Sequence, residues 1–226
     1  MTLDGPSIVM LERDGVALTP PLLSAVECDE VVSWFDDDAR FRSTVVMARH
    51  SYGVGTYRYF SYPLPPLVAR LRSDLYPPLA AIANAWAGRL GERTHPTVHQ
   101  ELIEQCAAAG QHRPTPLVLR YDAGGYNCLH QDVYGALTFP LQVAILLSVP
   151  GTDFAGGENV FVEQRPRAQS RPIVMRPERG QAMVFAVHHR PEVGARGDRR
   201  VQLRHGVSTI TSGRRHALGI IFHDAT

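Results

Sequence analysis

The chain has 226 residues, 44% hydrophobic and 20% charged, enough for one globular, enzyme-sized domain with a full core. Its formal net charge is only +1, its 23 basic residues are all Arg, and no apolar stretch approaches the roughly 18 residues that a membrane span needs. Cys28, Cys106 and Cys128 are widely spaced, which excludes a disulfide framework and a Cys-x-x-Cys zinc site. Residues 1–6 lack a basic region followed by an apolar run, so a cytoplasmic location is expected.

In chain order, Thr19 followed by Pro20 and Pro21 reads as a helix start. Leu22, Leu23, Val26, Val31, Val32 and Trp34 give that helix an apolar face, ending near residues 36–38. Between Arg42 and Tyr62, the β-branched and aromatic residues broken by Gly53 and Gly55 predict two strands and a turn. Helix returns over about residues 65–90, interrupted at Pro77-Pro78, and again over about 96–109. From Pro116 the pattern changes to short strands, predicted at 117–121, 137–149, 158–163, 172–175, 182–187, 201–210 and 215–223. Gly, Pro and Asp clusters separate them at the intervals of a sandwich or barrel. The expected fold is mainly β with N-terminal helices, a double-stranded β-helix or jelly roll. Residues 1–115 are read as a support region and 116–226 as the catalytic core of the same domain.

The chemistry is concentrated in Arg120-Tyr121-Asp122-Ala123-Gly124-Gly125-Tyr126-Asn127-Cys128-Leu129-His130-Gln131-Asp132, answered 75 residues later by His205. His130 and Asp132, two apart on a strand, project to one face, and with a distant His they form the two-His-one-carboxylate ligand set of non-haem Fe(II). Such a set leaves three coordination positions for a chelating cosubstrate and O2. Arg215 lies ten residues beyond His205, an even offset that keeps both on one face if the Ser212-Gly213 turn preserves the alternation. Its guanidinium can grip a carboxylate through two parallel hydrogen bonds. Gly156-Gly157-Glu158 reads as a turn into a strand, the two glycines admitting backbone angles that other residues resist.

Residues 116–224 resemble the Fe(II)/2-oxoglutarate-dependent dioxygenase superfamily, on the order Tyr-x-x-Gly-Gly, His-x-Asp, Gly-Gly-Glu, distal His and Arg. Leu129-His130-Gln131-Asp132 preceded by Arg120-Tyr121 is similar to AlkB-type demethylases. The runs 141–148, 163–167, 184–191 and 222–224 are similar to a bacterial oxygenase family catalogued as acting on damaged nucleic acid. The resemblance implies that His130, Asp132 and His205 hold Fe(II), and that Arg215 and Tyr121 contact 2-oxoglutarate, which is oxidised by O2 to succinate while a substrate C–H bond is hydroxylated. Hydroxylation of an N-methyl carbon would release formaldehyde. Two departures stand out: Leu119-Arg120-Tyr121 replaces the AlkB Asn-x-Tyr, and the ten-residue spacing of Arg215 is instead similar to the prolyl-hydroxylase-like branch.

The substrate is therefore open between alkylated nucleic acid and an amino acid, peptide or small metabolite, with a non-catalytic cupin-like metal-binding protein as a third reading. Residues 165–215 hold twelve Arg against Glu178, Glu192 and Asp198, whereas residues 1–38 hold nine acids and one Arg, an asymmetry that fits an anionic partner. Tyr126 and Tyr134, with Tyr57 and Phe60, are candidate substrate contacts by type. His189, Arg190, Arg196, Arg199 and Arg200, in a loop expected near the mouth of the roll, are the others.

Overall fold

The computed structural model describes residues 4–133, 135–165, 167–195 and 197–226. In chain order the elements are α1 (Gly5–Asp14), β1 (Val16–Pro21), α2 (Ala25–Ser33), β2 (Phe41–Val46), β3 (Gly53–Val54), β4 (Thr56–Phe60), α3 (Pro66–Leu90) and α4 (His99–Ala108). Then come β5 (Leu117–Asp122), β6 (Tyr126–His130), β7 (Leu141–Leu146), β8 (Phe154–Gly156), β9 (Asn159–Gln164), β10 (Arg171–Met175), β11 (Gln181–Ala186), β12 (His189–Gly194), β13 (Gly197–Val207) and β14 (Ile210–Ile220). They form the two sheets of a double-stranded β-helix. The larger has the order β1-β11-β7-β14-β5-β4-β2, with β8 beside β14. The smaller has the order β10-β9-β13-β6-β3, with β12 beside β13.

Strand parity decides what each face of the larger sheet does. Val118, Val143, Ile145, Leu218 and Ile220 point outward into one cluster with Trp34, Leu71, Leu75, Tyr76 and Trp86 of the helical layer. The residues between them, Leu117, Leu119, Tyr121, Gln142, Ala144, Arg215, Ala217 and Gly219, line a cavity between the sheets. The alternation is a consequence of the two-residue period of a strand, so one register sets both the buttressed face and the cavity face.

Four expectations are corrected. Thr19-Pro20-Pro21 ends the edge strand β1 rather than starting a helix, and a sheet edge is where Pro is tolerated because no ladder N–H is needed. The helix starts at Ala25 instead, where Ser24 and Glu27 form a reciprocal capping box. A further helix, α1, capped by Asp4, precedes it. Finally, α3 runs unbroken through Pro77 and Pro78; the carbonyls that lose their partners, on Ser73 and Asp74, belong to residues on its exposed face. Among the described residues no helix is long and apolar enough to cross a membrane.

The charge asymmetry of the sequence closes on itself in space. Arg171 pairs with Asp14 at 2.9 Å, and Arg179 pairs with Asp29, so acids of the first 38 residues neutralise Arg of the basic stretch. Arg165, Arg190 and Arg199 meet Glu163 or Glu192. A linear count of Arg thus overstates the positive surface.

Candidate active site

The smaller sheet carries the two histidines of the metal-ligand set. His130, the last residue of β6, lies directly opposite His205 of β13, with ring centroids 4.2 Å apart. Asp132 lies two residues beyond the end of β6, in the connection to β7, and not on the strand as its spacing suggested. It still reaches the two imidazoles: its carboxylate oxygens are 3.4 Å from His130 Nε2 and 3.3 Å from His205 Nε2. One donor atom from each residue falls within 4.8 Å of the others. Two imidazoles and a carboxylate suit Fe(II).

Burial and mutual pairing set the charge of this cluster. Desolvation would raise the Asp132 carboxyl, but hydrogen bonds and charge from His130 and His205 hold it well below the usual carboxylate range. Burial works against a charged His130 as well, yet the Asp132 carboxylate and the Cys128 carbonyl outweigh it and raise this imidazole. For His205 burial wins and the ring is pushed down. The His130 Nδ1–Cys128 carbonyl contact of 2.8 Å places the ring proton on Nδ1 and leaves Nε2 free for a cation. The Asp132 carboxylate also accepts a 2.8 Å hydrogen bond from Gln142 of β7, which crosses from the opposite sheet.

The larger sheet carries the other end of the site. Arg215 of β14 is in register with Tyr121 of β5, and both are buried. Arg215 donates to the Asn159 side chain at 3.0 Å, its Nε has no hydrogen-bond partner, and no carboxylate pairs with it among the described residues. Burial alone lowers its pKa. A buried guanidinium without a counter-ion is strongly destabilising, and an anion bound at this end would offset that cost. The Tyr121 hydroxyl, beside Asn127, is likewise buried without a hydrogen bond of ordinary geometry and is pushed upward by desolvation. Gly156 and Gly157 have φ of 73° and 65°, as the turn required, and a Cβ on Gly157 would lie 3.1 Å from Arg215 Cδ.

A single cavity of about 370 Å³ contains both ends. Ala144, Ala217 and Gly219 leave its floor open, Phe161, Met183 and Phe185 wall one side, and Tyr52, Tyr57 and Tyr59 wall another. The structure thus brings together His130, Asp132, His205, Arg215 and Tyr121. It does not bring Arg190, His189, Arg199 or Arg200 to this cavity. The expected loop is a β12–β13 hairpin, in which Arg190 is buried against Glu163 at 2.6 Å, His189 and Arg200 meet Glu92, and Arg199 meets Glu192. Tyr126 sits on β6, 39% exposed and off the cavity wall. Tyr134 and Arg196 lie outside the described residues. Gln142 and Asn159 were missed from the sequence, although a Gln within the otherwise apolar run 141–147 was a legible signal.

Comparison with known proteins agrees with this geometry. Residues 55–225 match the family Oxygenase-NA, described as "Oxygenase, catalysing oxidative methylation of damaged DNA". The uncharacterized protein Rv2227 of Mycobacterium tuberculosis (strain ATCC 25618 / H37Rv) is 47% identical over 180 residues, covering 77% of each chain. Among solved structures, a 2OG-Fe(II) oxygenase family oxidoreductase from Burkholderia pseudomallei aligns with a TM-score of 0.55 at 16% identity, over 100% of this chain and 98% of that one. A Pseudomonas putida prolyl-4-hydroxylase aligns with 0.54 at 14% identity, over 98% of each chain. The epimerase SnoN from nogalamycin biosynthesis aligns with 0.59 at 16% identity, over 98% of this chain and 83% of that one. At these identities the solved structures establish the shared fold. With the family match over most of the chain and the two-His-one-carboxylate triad in place, the chain belongs to the Oxygenase-NA family and is an Fe(II)- and 2-oxoglutarate-dependent oxygenase.

Proposed function

We propose that this oxygenase hydroxylates alkyl carbons on damaged nucleic-acid bases. The observation that carries the reading is the wall of Tyr52, Tyr57 and Tyr59 in the cavity that also holds the triad, a lining suited to a planar ring. The family description supports it. When bound, Fe(II) supplies the oxidising chemistry with O2 and 2-oxoglutarate, and succinate and carbon dioxide are the by-products. His130, Asp132 and His205 would hold the metal. Arg215 would bind the distal carboxylate of 2-oxoglutarate in a fork of hydrogen bonds, and Tyr121 would donate to the same group. The apolar side chains around them exclude water from the reacting end. Hydroxylation of an N-methyl carbon gives a product that releases formaldehyde and leaves the repaired base. The three free thiols, two of them buried, fit a reducing cytoplasm. On this reading residues 1–115 support the catalytic strands, through helices packed on the outer face of the larger sheet.

A second reading, hydroxylation of an amino acid, peptide or small metabolite, is favoured by the ten-residue spacing between His205 and Arg215. The two separate when Fe(II)-loaded protein is given 2-oxoglutarate with a methylated single-stranded oligonucleotide or with a metabolite extract, His130→Ala serving as the blank. Oligonucleotide-stimulated succinate with matching formaldehyde is the expected result. Stimulation by the extract alone would replace the nucleic-acid reading with the second one.

A further inference from the structure

We infer that Gln142 is a positioning residue for the metal site: its side-chain amide, reaching across from the larger sheet, holds the Asp132 carboxylate in the orientation that faces the two imidazoles. Asp132 needs such a restraint. His130 and His205 are held in the ladder of the smaller sheet, directly opposite one another, whereas Asp132 lies two residues beyond the end of β6, in the connection to β7. Two glutamines act on this stretch. Gln131, between the ligands in sequence, donates to the Leu203 carbonyl at 2.7 Å and the His188 carbonyl at 3.1 Å, tying the backbone beside Asp132 to β13 and to the connection between β11 and β12. Gln142 acts on the carboxylate itself, donating from Nε2 to Asp132 Oδ2 at 2.8 Å.

The chemistry of the amide suits the task. A carboxylate can only accept, so the Gln142 amide must present its NH2 group to Asp132, and this fixes the orientation of the side chain. The amide is neutral, so it restrains Asp132 without cancelling the negative charge that a cation needs; an Arg or Lys at the same place would compete with the metal. Packing offers no competing explanation for a polar group here. Gln142 is 6% exposed on a strand whose other buried residues are apolar, and its Oε1 has no hydrogen-bond partner among the described residues. An unpaired buried carbonyl is destabilising, so the fold alone would favour Leu or Met at this position.

The test uses Gln142→Leu and Gln142→Met, which keep most of the side-chain volume and remove the donor. Each full-length variant is titrated with Co(II) alone by calorimetry and by its visible absorption, and thermal melting of the metal-free protein checks the fold. Expected are a metal-free melt at least as high as that of the parent, Co(II) affinity weaker by about 10- to 100-fold, and an altered Co(II) spectrum as Asp132 changes its mode of binding. Parental Co(II) affinity and spectrum in both variants would overturn the inference, whether or not turnover of the primary substrate changed. If those variants bound Co(II) normally and lost only substrate affinity, Gln142 would be a substrate contact instead. The inference rests on the metal assignment and not on the choice of substrate, so its failure leaves the nucleic-acid reading untouched, and the oligonucleotide experiment can fail without affecting it.

Discussion

Arg215 and Tyr121 lie directly opposite one another on β14 and β5, both buried, with the guanidinium carbon 5.9 Å from the centre of the tyrosine ring. This pair forms one end of the cavity whose other end is the His130–Asp132–His205 cluster. Sheet register therefore determines the span between the buried guanidinium and the metal-ligand triad.

Replacing Arg215 by Gln should weaken 2-oxoglutarate binding by about 10- to 100-fold, the size expected for losing charge-assisted hydrogen bonds in a buried site. Lys should recover only part of it, because a point charge cannot reproduce the planar fork. Calorimetric titration of 2-oxoglutarate into Mn(II)-loaded protein measures this directly; unchanged affinity in Arg215→Gln would remove Arg215 from the cosubstrate site.

Gly55 tests Tyr121 from the side. A Cβ there would sit 2.7 Å from Tyr121 Cδ1 and 2.9 Å from Cε1, so the ring must shift, and the cavity that it lines is the open side. Gly55→Ala should cost about 1–3 kcal/mol of stability through overpacking and raise the apparent KM for 2-oxoglutarate, while Co(II) affinity stays at its parental value. A variant with parental KM would show that Tyr121 is core alone.

Arg190 belongs to the stability of the fold. Its 2.6 Å pair with Glu163 is buried on both sides, and Arg165 at 3.0 Å and Arg171 at 3.3 Å share the same carboxylate, so Arg190→Met removes the most deeply buried of three partners. The expected loss in urea unfolding is about 1.5–3 kcal/mol, the size of one charge-assisted hydrogen bond, because Glu163 keeps its other two partners. Arg199→Gln and Arg200→Gln remove exposed pairs with Glu192 and Glu92, and each should cost at most about 1 kcal/mol.

Acid should destabilise the protein well before its carboxylates titrate. His99, His216 and His223 are pushed down to about 4, mainly by burial. Between the ordinary imidazole value of 6.5 and about 4, the unfolded chain binds protons that the folded chain refuses, so stability rises with pH across that window and is lost as pH falls through it. Each histidine can contribute a slope of up to about 1.4 kcal/mol per pH unit. For His223, whose Nδ1 accepts from the Phe139 N–H at 3.1 Å, protonation would also remove the acceptor. Urea midpoints measured from pH 7 to 4 check this, and His216→Phe should flatten the curve by one proton's worth.

The sequence by itself determined the ligand types, their order and the inward parity of the strands, because these are local properties: a two-residue period, a His-x-Asp spacing, and Gly156-Gly157 where positive φ was required. The expected turn at Ser212-Gly213 lies instead inside β14, the chain turns at 208–209, and His205 and Arg215 reach the cavity from facing sheets rather than from one face. Local reading failed where a neighbour distant in the chain decided the outcome. Thr19-Pro20-Pro21 looks like a helix start until β11 pairs with it, and Asp132 looks like a strand residue until β6 stops at His130. Arg190, Arg199 and Arg200 pair with Glu163, Glu192 and Glu92, partners that only the fold supplies. Gln142 and Asn159 acquire their roles only when the two sheets face each other, since Gln142 meets the Asp132 carboxylate beyond the end of β6 and Asn159 a guanidinium 56 residues away. Such pairings depend on which surfaces pack together, and that choice belongs to the tertiary fold.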